Sequence, residues 1–94
     1  TLADGLAGQI DEDALHIGQT CADEFCLVSE ALLGETIAWL SRTHGLTVEG
    51  AGAVTVAALR HGLISTIEGP VVALVSGRNI DRTRHEALLL RYAA

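Results

Sequence analysis

The best-placed chemistry in this 94-residue chain belongs to Ser76, Gly77 and Asn79. They follow Val71-Val72-Ala73-Leu74-Val75, an uncharged and largely β-branched run that comes after Gly69-Pro70. Such a run reads as a buried strand of the kind found in parallel sheets. A Ser-Gly turn at the carboxyl end of a strand, with a helical pattern behind it, sits where open α/β sheets place their ligands. It would offer a hydroxyl and backbone amides at that edge. A second turn, Glu49-Gly50-Ala51-Gly52-Ala53, closes an apolar segment and opens another helix. Gly50-Ala51-Gly52 is too short to cradle a phosphate and reads as a tight strand-to-helix turn.

The elements that must position these turns follow from pattern. Asp11-Glu12-Asp13 reads as the start of a short helix running to about Ala22, because carboxylates favour the positive end of the helix dipole. Calcium binding is the weaker reading, since an EF-hand spreads its oxygen ligands over about twelve residues around a central glycine. Phe25 to Val28 reads as a strand that hands over to a helix capped by Ser29. That helix runs to about Thr43, with Leu33, Ile37 and Leu40 on one face, and stops at His44-Gly45. Trp39 suits a core or domain-interface position. Leu46 to Val48 is a short extended piece before a helix ending near His61-Gly62, and a last helix spans about Asp81 to Tyr92. Helices alternating with short apolar strands predict an α/β class: a partial parallel sheet with flanking helices, residues 1–94 forming one incomplete domain.

Composition removes several functions. The net charge is −6, and all six basic residues are arginines. No basic cluster is present to neutralise phosphates, so nucleic acid is not expected as a partner. Arg78, Arg82 and Arg84 read as a solvated face paired with Asp81 and Glu86. No uncharged run approaches the ~20 residues of a membrane span. Cys21 and Cys26 are expected to be reduced and buried, which suits a cytoplasmic location. Their spacing and the scattered His16, His44, His61 and His85 predict no metal site. An N-terminal nucleophile at Thr1 is a rival, but such sites want a nearby activating cation and a β-rich sandwich, and neither is offered.

Taken in order, Thr1-Leu2-Ala3-Asp4-Gly5, Asp23 to Glu30, Val48 to Ala53, and Val75-Ser76-Gly77-Arg78-Asn79-Ile80-Asp81 resemble the last third of the catalytic domain of serine/threonine dehydratases. These are pyridoxal-phosphate enzymes of the tryptophan-synthase-β (fold type II) family. The resemblance implies a fragment of the large domain of such an enzyme. The parent would deaminate a β-hydroxy amino acid such as L-threonine or L-serine by eliminating water, releasing a 2-oxoacid and ammonia. It also implies that Ser76 contacts the pyridine nitrogen of the cofactor and that Gly77 and Asn79 shape the turn. Gly5 would line the cofactor face, and Glu49 would lie near the pyridine side. Capping the following helix is the equal alternative for Glu49. The motif departs from the commoner Ser-Gly-Gly-Asn at Arg78. Either the arginine is strained by a positive φ there, or the turn differs and Arg78 reaches a partner.

The family holds its cofactor on a lysine amine, and this chain has none, so it supplies no catalytic residue of its own. Without a methionine at residue 1 it reads as a piece of a longer enzyme, inactive by itself and not expected to bind the cofactor. A hydrophobic content of 49% predicts exposed apolar surface and homo-oligomer formation. The alternative is a non-enzymatic α/β interaction or regulatory module.

Overall fold

The computed structural model describes residues 1–65 and 67–92. A single 3₁₀ turn, Asp4–Leu6, precedes four helices: α1 (Glu12–Cys21), α2 (Glu30–His44), α3 (Gly50–Arg60) and α4 (Arg82–Arg91). Three of the four helices, α1, α2 and α4, start where a side chain caps them. The Asp11 side chain accepts from Ala14 N–H at 2.7 Å, Ser29 from Leu32 N–H at 3.2 Å and Asp81 from Arg84 N–H at 3.1 Å. These contacts satisfy amides that have no intrahelical partner. α2 ends at Gly45, whose φ of 66° is the left-handed conformation that a residue with a Cβ resists.

α2 is the centre of the fold. It packs against α3 and α4, and α3 packs in turn against the 3₁₀ turn. Leu33, Ile37 and Leu40 of α2 meet Val48, Ala53 and Ala57 from the α3 side and Leu88 of α4. Thr36 is also fully buried, and its hydroxyl donates to the Leu32 carbonyl at 2.8 Å. That intrahelical bond lets a polar side chain sit in the core at little cost. Alanines and glycines on α3 allow close approach to α2 because no large side chain separates the two backbones. α1 buries no residue and packs against no other described helix.

The expected α/β class is overturned: no strand and no sheet occur among the described residues. Phe25 to Val28, Leu46 to Val48 and Val71 to Val75 all lie outside regular structure. Val72 is 92% exposed and Leu74 76% exposed, whereas the sequence predicted a buried run. The physical reason is that a ladder needs a partner backbone about 4.8 Å away. β-branched apolar composition records a preference for burial and does not supply that partner. The segments before α3 and after Val75 share one backbone hydrogen bond, from Glu49 N–H to the Gly77 carbonyl at 3.0 Å. Cys21 and Cys26 are free thiols, as expected, but both are exposed and not buried. Cys26 was placed in the interior only through the strand that did not form.

The core assignment has a direct test. Ile37→Ala should cost about 2–5 kcal/mol, because it leaves a cavity in a close-packed interior. Leu27→Ala, at a residue that is 94% exposed, should stay within about 0.5 kcal/mol of the parent. Denaturant unfolding followed by circular dichroism separates the two, and equal costs would refute this placement of the core.

Candidate functional site

Three stretches far apart in sequence meet at the start of α3. Gly50, the first residue of that helix, lies directly against the backbone of Leu2 and Ala3. A Cβ built on Gly50 would collide with the Leu2 carbonyl and come within 2.8 Å of Ala3 N. From the other side, a Cβ on Gly52 would come within 2.9 Å of Gly77 N and 3.0 Å of Gly77 O. Gly5 faces Ala51, with 3.1 Å between the Ala51 Cβ and the position a Gly5 Cβ would take. The glycines of this turn therefore make room for neighbouring backbone on both sides.

Glu49 ties the assembly together. It occupies the N-cap position of α3 but makes no side-chain cap hydrogen bond. Its carboxylate lies across Gly77 instead, filling the space a Cβ there would need, and its Oε1 accepts from Asn79 N–H at 3.3 Å. Its own N–H donates to the Gly77 carbonyl. Gly77 lacks a positive φ, so its absent side chain matters for space and not for torsion. Arg78 has no positive φ either. The arginine is accommodated without strain, and the turn closes through Ile80 N–H donating to Arg78 O at 2.9 Å.

The five residues singled out by sequence are thus neighbours, but they do not share one cavity. Ser76 and Gly77 line an open cleft of about 350 Å³ together with Thr47 and Val48. Glu49 and Asn79 line a smaller one of about 160 Å³ with Leu2, Asp4 and Arg84. Gly5 lines neither. The Glu49–Gly77 contact separates the two. Ser76 is exposed, so its neutral hydroxyl is free to meet a ligand, while the Glu49 carboxylate is committed to the turn. Among the described residues no group of three or more His, Cys, Asp or Glu side chains could hold a metal ion. No described helix is long and apolar enough to cross a membrane.

An anchor that sequence reading missed holds the first residues in place. The Thr1 hydroxyl donates to Glu30 Oε1, and Leu2 N–H donates to Glu30 Oε2 at 2.8 Å. These bonds, the Thr1 hydroxyl foremost, hold the Glu30 carboxyl below its ordinary value of 4.5. Glu30 read only as a first-turn acid, and nothing local to it signals a contact 28 residues away.

The chain is 40% identical over 88 residues to the L-threonine dehydratase catabolic TdcB of Staphylococcus aureus strain N315, covering 89% of this chain and 25% of that protein. It is 39% identical over 82 residues to the L-threonine ammonia-lyase of Geobacter sulfurreducens, covering 86% of this chain and 20% of that one. TdcB of S. aureus strain USA300 is 36% identical over 88 residues. Over most of its length the chain is thus similar to one segment of proteins named threonine dehydratase or threonine ammonia-lyase. It spans 25% or less of the length of these relatives. No family model and no solved structure matches it.

Two outcomes follow for this segment. Gly50→Ala sets a Cβ against backbone and should cost about 1–3 kcal/mol. Gly77→Ala meets only the movable end of Glu49 and should cost about 1 kcal/mol, the worth of the displaced hydrogen bond. Unfolding midpoints that rank them the other way would refute the packing. The lowered Glu30 carboxyl gives a pH signature. Its stabilisation is fully present above the ordinary carboxylate value and is lost as pH falls through the lowered one. The stability gap between the parent and Glu30→Gln should therefore hold above the ordinary carboxylate value of 4.5 and close as pH falls below it, and a gap independent of pH would contradict the anchor.

Proposed function

We propose that this chain is part of a pyridoxal-phosphate-dependent ammonia-lyase that deaminates L-threonine or L-serine to a 2-oxoacid and ammonia. The observation that carries the reading is the meeting of Leu2–Gly5, Glu49–Gly52 and Gly77–Asn79 at one helix start. Those are the stretches through which the sequence resembles the family. The relatives named above, called threonine dehydratase and threonine ammonia-lyase, support the same reaction class.

The fit of the cofactor can be judged at Ser76. The cleft beside it is large enough for a small aromatic ring, and the hydroxyl on its rim is exposed. When bound, pyridoxal phosphate supplies an electron sink for eliminating water from a β-hydroxy amino acid. Ser76 would meet the pyridine nitrogen. A neutral hydroxyl there does not compel protonation of that nitrogen as a carboxylate would, which suits β-elimination over transamination. Gly77, lacking a Cβ, leaves room for the Glu49 carboxylate, and Glu49 through the Asn79 amide would fix the direction in which the turn presents Ser76. Gly5 buttresses α3 through Ala51. The lysine that takes the α-proton and the phosphate cradle are supplied from outside these residues. A cytoplasmic homo-oligomer is the expected setting.

The test uses the full-length protein, purified with pyridoxal phosphate and assayed for 2-oxoacid release from L-threonine and L-serine. The expected result is turnover of at least one of them. Ser76→Ala should lower kcat by about tenfold or more with the cofactor still bound, since a single charge-sensitive hydrogen bond is worth about 1.5–3 kcal/mol. A full-length protein with neither cofactor absorbance nor turnover would overturn the reading and leave a non-enzymatic interaction module.

A further inference from the structure

Half of the cations of this acidic chain converge on one cleft that the dehydratase reading does not use. Arg42 of α2, Arg60 of α3 and Arg91 of α4 line a cavity of about 350 Å³ with Glu35, Trp39 and Tyr92. It shares no lining residue with either cleft beside the Glu49–Gly77 contact. Three guanidinium groups face a single lining carboxylate here, whereas the chain as a whole carries a net −6. Like charges do not gather on three separate helices without cost. An opposite charge held among them would remove that cost.

The arginines are already oriented. Arg60 stacks over the Trp39 ring, 4.3 Å from its centroid, and its Nη2 pairs with Glu35 Oε1 at 2.7 Å. The second oxygen of Glu35 lies 3.0 Å from His61 Nε2, so this carboxylate is fully engaged. Arg42 donates to the carbonyls of Leu89 and Tyr92 at the end of α4. That leaves its charge in place and adds to it the favourable contact of a cation with a helix C-terminus. Arg91 lies 5.6 Å from the Tyr92 ring centroid, and among the described residues it pairs with no carboxylate. The cavity has a ligand-sized volume, an aromatic wall and planar forks of the kind that clasp carboxylate and phosphate oxygens.

We propose that the Arg42–Arg60–Arg91 cleft binds a small doubly charged oxyanion, a dicarboxylate or a phosphate monoester, with its body against Trp39 and Tyr92. One negative charge would balance Arg91 and the second Arg42, while Arg60 stays fixed by Glu35 and Trp39. The site is independent of the dehydratase chemistry and stands or falls separately from it.

Trp39 provides the readout. The full-length protein is titrated with malonate, inorganic phosphate and acetate at constant ionic strength while tryptophan emission is followed, with Trp39→Phe identifying the signal. Saturable change with malonate or phosphate at about 1 mM or below is expected, and the stronger of the two names the ligand class. Acetate should bind about tenfold more weakly or worse, because it can balance only one guanidinium. Arg91→Gln should weaken binding about fivefold or more, Arg91→Lys less so, and the exposed Arg82→Gln not at all. No saturable change with either dianion, equal response to acetate, or equal weakening by Arg82→Gln overturns the proposal.

Discussion

The structure depends on how closely backbone approaches backbone at the first turn of α3. Residues 2–3 press on Gly50 from one side and Gly77 presses on Gly52 from the other. One hydrogen bond, Glu49 N–H to Gly77 O at 3.0 Å, sets the register between the two turns. With any side chain at Gly50 either the Leu2–Ala3 backbone or the start of α3 has to shift, and both Leu2 and Gly50 line the smaller cleft. The turn after Val75 has little else to hold it, because the apolar run before it is largely exposed. The orientation of Ser76 is therefore set from behind by Glu49.

Arginines are used where the helices leave partial negative charge or an acid to satisfy. Arg42 caps α4 from across the fold and helps dock that helix on α2, joining residues 50 positions apart. Arg82 pairs with Glu86 at 3.1 Å one turn along α4, where both are well exposed and the pair adds little to stability. The contrast explains why the cleft between α2, α3 and α4 has no local signature. Its arginines share neither a motif nor a helix face, whereas Arg78, Arg82 and Arg84 look like a patch and behave as a solvated surface.

Helices were legible in this sequence because their determinants are local. Asp11 and Ser29 cap the helices they were read to start, Gly45 stops α2, and Asp81, read only as the approximate first residue of the last helix, caps it. Strands were not legible, because pairing is nonlocal and Val71 to Val75 records only an appetite for burial. The neighbourhood of Glu49, Gly77 and Asn79 was foreshadowed by their resemblance to one family and is realised by close packing. Its division into two clefts was not, since it turns on a carboxylate lying over a glycine 28 positions further on.

That division bears on which residue can act. A carboxylate that accepts from Asn79 N–H and covers Gly77 is already spent on geometry. To exchange a proton with a ligand in the larger cleft, Glu49 would have to leave the turn, and the turn would lose the support that aims Ser76. The two roles that sequence left open for Glu49 were helix cap and cofactor neighbour. The structure favours a third, a brace between the α3 start and the Ser76 turn. Ser76 stands exposed on the rim of the larger cleft, and the contribution of Glu49 to that rim is positional, through the turn it braces.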